Sequence, residues 1–113
     1  MISKELKKGS TEILILSLLE DGPRHGYEVG KLIETRSDGV LTLHAASLYP
    51  ILYRLESKRL VRGEWERKTS GRKRRFYRLT AAGRKLLSRE RSSWRSFVAA
   101  IDKVARIRHA ELD

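Results

Sequence analysis

Between Arg54 and Arg78 the chain carries eleven Lys or Arg side chains against three Glu (Glu56, Glu64 and Glu66), a local net charge of +8 in 25 residues. The stretch "TSGRKRRFYRLT" alone holds Arg72, Lys73, Arg74, Arg75 and Arg78. Guanidinium and ammonium groups at this density pair with phosphates and release the counterions condensed around a polyanion. The whole 113-residue chain carries +11, so most of the excess is concentrated here. An evenly solubilising surface would spread it out. The net charge points to a polyanion, a nucleic acid or an acidic membrane surface, and its concentration in one zone to a nucleic-acid backbone.

Other chemistries find little to work with. There is no Cys, hence no disulfide, thiolate nucleophile or sulfur metal site. His25, His44 and His109 lack metal-ligand spacing, and no clustered carboxylates stand near them. A Gly-rich phosphate loop and a nucleophile with a base are both missing. No metal, cofactor or enzymatic activity is expected, and His25 reads as a hydrogen-bonding group at a helix start. The apolar run Ile13–Leu19 is interrupted by Ser17 and followed by Glu20 and Asp21, unlike a cleaved leader. No run approaches the ~18 apolar residues of a membrane span, so a soluble, cytoplasmic protein without a membrane partner is expected.

The elements that must position the cations follow from periodicity and stop signals. "STEILILSLLEDGP" predicts a buried helix capped by Ser10 or Thr11, with Ile13, Leu16 and Leu19 or Glu20 on one face, widened by Leu14 and Leu18. "HGYEVGKLIETRSDG" predicts a second helix ended by Ser37, Asp38 and Gly39, and "VLTL" a short edge strand. "HAASLYPILYRLESKRLV" predicts a third helix beginning between Ala45 and Ser47, with Leu48, Ile51, Leu52 and Leu55 inward. Pro50 then falls in or just past its first turn, where the missing N–H costs least. "LVRGEWERK" and "RKRRFYRLT" predict a β-hairpin with Tyr77 and Leu79 on one face, Phe76 and Arg78 on the other, and Trp65 packed on Tyr77 or Phe76. Thr80 caps a final helix of roughly 30 residues, about 45 Å long.

Helix, helix, short strand, helix, hairpin, long helix is the layout of a winged helix-turn-helix. The predicted fold class is mainly α with a small β-hairpin, residues 1–80 forming a DNA-binding unit and residues 81–113 a C-terminal dimerisation helix. In such folds the recognition helix enters the major groove, so its outward face must carry polar groups rather than acids. Opposite Leu48, Leu52 and Leu55 lie Ala46, Pro50, Tyr53 and Ser57, flanked by Ser47, Tyr49 and Arg54, with no carboxylate. Ser47 is placed for a phosphate near the helix N-terminus, and Tyr53 and Arg54 for base edges or flanking phosphates. The cations Arg72, Lys73, Arg74 and Arg75 fall on the hairpin, the wing.

"GSTEILILSLLEDGPRHGYEVGKLIE", "SLYPILYRLESKRLV" and "SGRKRRFYRLTAAGRKLL", in that order and spacing, resemble the PadR family of bacterial transcriptional regulators. The resemblance implies a homodimeric regulator of double-stranded DNA, commonly a repressor. It implies the short subgroup with one C-terminal helix, and places Ser47, Tyr49, Tyr53 and Arg54 on the recognition helix and Arg72 to Arg75 on the wing. "HAAS" departs from the Pro-Gly turn many relatives have there, which bears on where that helix starts.

Leu87, Trp94, Phe97, Ile101 and Val104 fall at alternating steps of three and four along the last helix once a missing apolar position at Glu90 is allowed, broadened by Val98 and Ala105, and predict a dimer seam. In short PadR-like proteins the dimer interface can enclose an apolar pocket. By that resemblance Trp94 and Phe97 are the candidate contacts for a small aromatic effector. The rival reading of the charge is a basic RNA-binding or ribosome-associated domain, which has no need of a long dimer helix.

Overall fold

A computed structural model describes residues 4–66 and 74–108, with side chains from Gly9 onward. It contains α1 (Lys4–Leu18), β1 (Arg24–His25), α2 (Gly26–Arg36), α3 (Ala45–Ser57), β2 (Val61–Trp65), β3 (Arg75–Leu79) and α4 (Ala81–Ala105). The three strands form one antiparallel sheet in the order β1-β3-β2. This is the expected mainly helical fold with a small sheet and a long C-terminal helix.

One core joins the helices to the hairpin. Ile15, Leu16, Leu19, Val29, Leu48, Leu52, Leu55, Val61, Tyr77 and Leu87 are each less than 3% exposed. Each such aliphatic side chain contributes roughly 1.5 to 3 kcal/mol of burial free energy, so the winged domain holds itself together with apolar packing. Leu48, Leu52 and Leu55 bury the inner face of α3 as their spacing predicts, with Ile51 partly buried beside them. Tyr77 and Leu79 turn inward and Arg78 outward, the alternation expected of β3.

Several expectations are corrected. α1 begins at Lys4, so Ser10 and Thr11 lie inside the helix rather than at its N-cap; the good helix formers of "KELKK" extend it across Gly9. Its buried stripe includes Ile15, missing from the predicted face, while Ile13 and Leu14 are only partly buried. "VLTL" is not a strand. Leu41 and Leu43 lie against the core, and Ser37 Oγ takes the Leu41 N–H at 2.9 Å, which holds the segment in a loop. The sheet's third strand is Arg24–His25, paired with Tyr77 and Phe76. α4 has 25 residues, about 37 Å rather than 45 Å, and ends where Arg106 turns left-handed at φ 58°.

The helix ends behave as the residue types suggest. His25 precedes α2, its N–H donating to Glu28 Oε1 at 3.1 Å, and His25 Nε2 lies 3.1 Å from Glu66 Oε2 at the foot of the wing. Asp38 and Gly39, at φ 53° and 79°, end α2 in left-handed turns. Thr80 caps α4, its Oγ1 accepting the Gly83 N–H at 3.0 Å. Glu20, just past α1, receives both Arg91 guanidinium nitrogens at 3.0 and 2.9 Å. That hydrogen bonding lowers the Glu20 carboxyl below its usual range and ties the middle of α4 to the body.

Candidate nucleic-acid interface

α3 is about 20 Å long and turns a carboxylate-free face to solvent. Ala46, Ser47, Pro50, Tyr53 and Ser57 are all exposed. Pro50 sits in the second turn, on that exposed side. Tyr49 and Arg54 lie on the flanks and are partly buried. The Tyr49 ring packs on Gly26, where a Cβ would sit 2.7 Å from its Cε1, and tilts against the Tyr53 ring at 6.2 Å. Arg54 Nη2 is 3.4 Å from Glu12 Oε1 on α1, so its guanidinium is drawn toward the body rather than the centre of the outward face.

The wing cations divide. Arg72 and Lys73 lie outside the described residues. Arg74 is exposed immediately before β3. Arg75 is spent inside the fold: Nη1 and Nη2 donate to the two Glu56 oxygens at 2.8 and 2.6 Å. Its guanidinium lies 5.7 Å from the Trp65 ring centre and 5.6 Å from that of Tyr77. The Glu56 hydrogen bonds raise the Arg75 pKa further, and burial pushes the Tyr77 hydroxyl up. Gly63 makes this possible, since a Cβ there would sit 2.7 Å from Arg75 Cζ. Arg75 is therefore the clasp between wing and α3. Trp65, 61% exposed, is matched with Arg75 in the strand register, and the Arg75 guanidinium lies beside both its ring and that of Tyr77.

Replacing Glu56 with Ala removes a bidentate, part-buried acceptor and strands the Arg75 charge. The expected cost is about 1 to 2 kcal/mol, with a shift in Trp65 emission. Chemical denaturation followed by fluorescence checks both.

Sequence reasoning passed over some exposed groups. Tyr27, 71% exposed on α2, belongs to the "HGYE" motif in which only the histidine drew attention. Lys58 and Arg59 at the foot of α3, with Arg62 and Arg78 on the wing, are all exposed. They were counted in the charge excess but given no role.

On α4, Leu87 is 1% exposed and belongs to the chain's own core, which corrects its assignment to the seam. Beyond it the Arg91–Glu20 pair is followed by a stretch of helix with no fully buried side chain among the described residues. Trp94 and Val98 are half-buried, while Phe97 is 40%, Ile101 39% and Val104 88% exposed. The Trp94 and Phe97 rings lie 5.7 Å apart.

A sequence profile described as "Transcriptional regulator PadR-like family" matches residues 15–89. The chain is 29% identical over 102 residues to an uncharacterised protein of Lysinibacillus sphaericus, covering 90% of this chain and 94% of that one. It is 43% identical over 101 residues to an uncharacterised 37.1 kDa protein in transposon TN4556 of Streptomyces fradiae, spanning 85% of this chain but only 28% of that protein. Among solved structures it is similar to a transcriptional regulator from Clostridium thermocellum (29% identity, TM-score 0.82, 91% of this chain and 97% of that one). It is also similar to a PadR family transcriptional regulator from Eggerthella lenta (31% identity, TM-score 0.76, 92% and 88%).

Proposed function

Because this chain belongs to the PadR-like family of transcriptional regulators, whose members bind DNA and are not enzymes, we propose that it acts in the cytoplasm as a dimeric repressor. The observation that carries the reading is the pairing of an exposed, carboxylate-free α3 face with a cationic wing beside it. In this reading Ser47, Tyr53 and Ser57, flanked by Tyr49 and Arg54, enter the major groove, Ser47 contacting a phosphate. Arg72, Lys73 and Arg74 meet phosphates at the wing, and Arg75 holds the wing in place through Glu56.

Residues 1–80 form the reading unit and residues 81–113 the dimerisation segment that carries α4, whose first two turns also complete the core through Leu87. Two copies joined along Trp94, Phe97, Val98, Ile101 and Val104 set two α3 helices for half-sites about 34 Å apart, or a multiple of that. A small aromatic effector stacked on Trp94 and Phe97 would release the DNA if it bound one dimer geometry better than the other.

The test is a salt titration of duplex binding. Affinity is expected to fall steeply with salt. Changing Arg72, Lys73 and Arg74 together to Ala is expected to reduce the slope by about 2 to 3, since each phosphate contact adds about 0.9. An unchanged slope removes the wing from the backbone contacts. Footprinting on the upstream region of its own gene, with transcription measured in a deletion strain, distinguishes repression from activation.

A further inference from the structure

Besides the side packed on the body and the open apolar stripe, α4 has a third face. Of the six Lys and Arg side chains in the helix, Arg91 donates to the Glu20 carboxylate and Arg84 to the Glu20 carbonyl. The other four, Lys85, Arg89, Arg95 and Lys103, are exposed and have no ion pair among the described residues. At 3.6 residues per turn they share one arc of about 120°, turned away both from Leu87 and Arg91 and from Phe97, Ile101 and Val104. Only small exposed residues stand between them, Ser92 and Ser96 among these.

No carboxylate lies three or four residues from any of the four cations. A helix face that only meets water interleaves both signs and gains from the pairs one turn apart. Here Lys85 and Arg89 face each other across a turn as like charges, which costs the helix a little. The ridge runs about 27 Å from Lys85 to Lys103, the length of about eight base-pair steps of duplex. It has no aliphatic or aromatic side chain, so it lacks both the anchors that hold a protein partner and the apolar face that sinks a helix into a membrane. Ammonium, guanidinium and hydroxyl groups are the donors that hold phosphate oxygens.

We propose that this ridge is a second nucleic-acid surface, which grips the backbone of a duplex other than the one on α3, without regard to its sequence, so that the protein bridges two DNA segments. The bridging rests on the DNA-reading role of α3; the grip of the ridge does not. α1 separates the two surfaces. Its Glu12 meets Arg54 of α3 at 3.4 Å, and Glu20, just past its end, meets Arg91 of α4 at 2.9 Å. The outward face of α3 and the ridge therefore look away from the body on either side of α1, and one straight duplex does not reach both. The ridge also points away from the apolar stripe, so pairing two copies along that stripe leaves it open.

The test holds a biotinylated duplex from the upstream region of the protein's own gene on beads and measures whether the full chain retains a fluorescent duplex of random sequence. Retention is expected. Changing Lys85, Arg89, Arg95 and Lys103 together to Gln is expected to cut it roughly tenfold or more, while affinity for the bead-bound duplex, the mass by light scattering and the melting curve by circular dichroism stay as they were. With the wing cations already changed to Ala, the salt slope for the random duplex is expected to fall by about 3 to 4 on the four substitutions, and by about half that on Arg89→Gln with Arg95→Gln, at about 0.9 per phosphate contact. Retention that survives the four substitutions overturns the ridge, because the two α3 helices of a dimer, each holding one duplex, then account for it. Phosphatidylserine vesicles that bind through the four cations when the random duplex does not also overturn it, and make the ridge a membrane surface. If the slope falls as expected but the upstream duplex binds no tighter than the random one, the ridge stands and the reading of an operator by α3 falls.

Discussion

Changing Phe97 and Ile101 together to Asp is expected to turn a dimer into a monomer at micromolar concentration and to cut operator affinity about a thousandfold. After Leu87, α4 contributes no fully buried side chain to the chain's own core among the described residues. Yet it continues for another 18 residues to Ala105, presenting Phe97, Ile101 and Val104 on a stripe at least 39% exposed. An amphipathic helix of this kind is stable when a partner covers the stripe. In a two-fold interface each substitution occurs twice, so four carboxylates would be buried without partners, at several kcal/mol each.

The effect on DNA follows from geometry rather than from any lost contact. With both half-sites engaged, the second binding event is intramolecular, which strengthens the whole by a factor of 10² to 10⁴. Light scattering reads the mass and a binding titration the affinity. A double variant that stays dimeric places the interface elsewhere on the chain. One that becomes monomeric yet binds at full strength removes the two-half-site reading of the operator.

Gly83→Ala is expected to destabilise the fold by about 2 kcal/mol or more, although helix propensity alone predicts a gain of about 1 kcal/mol at that position. Gly83 is the third residue of α4. A Cβ there would overlap the Leu60 carbonyl oxygen and sit 2.6 Å from Leu79 Cδ1. The carbonyl has nowhere to retreat. It accepts the Thr80 N–H at 3.2 Å and the Thr80 hydroxyl at 3.0 Å, the same threonine that caps α4. Moving Leu60 would break both bonds and pull β2 from the core. Forced overpacking against backbone sits at the upper end of the 1 to 3 kcal/mol typical of such changes, or beyond it. Urea denaturation of the two proteins decides the sign, and an alanine variant as stable as the parent would show that α4 does not seat on Leu60.

Local rules made much of the molecule readable from its residues. The 3-and-4 spacing of Leu48, Leu52 and Leu55 buries one side of α3 whatever lies opposite, so the polar other side was legible. The alternation in β3 and the cap at Thr80 are equally local. "VLTL" failed as a strand because its hydrogen bonding was taken over by Ser37 and its leucines by the core. The two-residue strand Arg24–His25 leaves almost no signal in sequence, since β3 supplies the pairing.

The charge run shows most clearly what sequence alone determined. It established that a cationic hairpin follows a carboxylate-free helix, because type and spacing decide local charge and local face. It did not establish which cations are free. Arg72 to Arg75 look alike in the chain, but Arg75 is opposite Trp65 in the sheet, its guanidinium lies over Gly63 and it is within reach of Glu56 on α3, so its charge is used to clasp the wing while Arg74 stays in solvent. Leu87 and Phe97 likewise share one helical stripe, and only the packing of α1 against α4 divides it into a covered part and an open part. Residues distant in sequence decide these outcomes, because pairing and burial depend on which elements the fold brings within a few ångströms, and one chain segment carries no record of that.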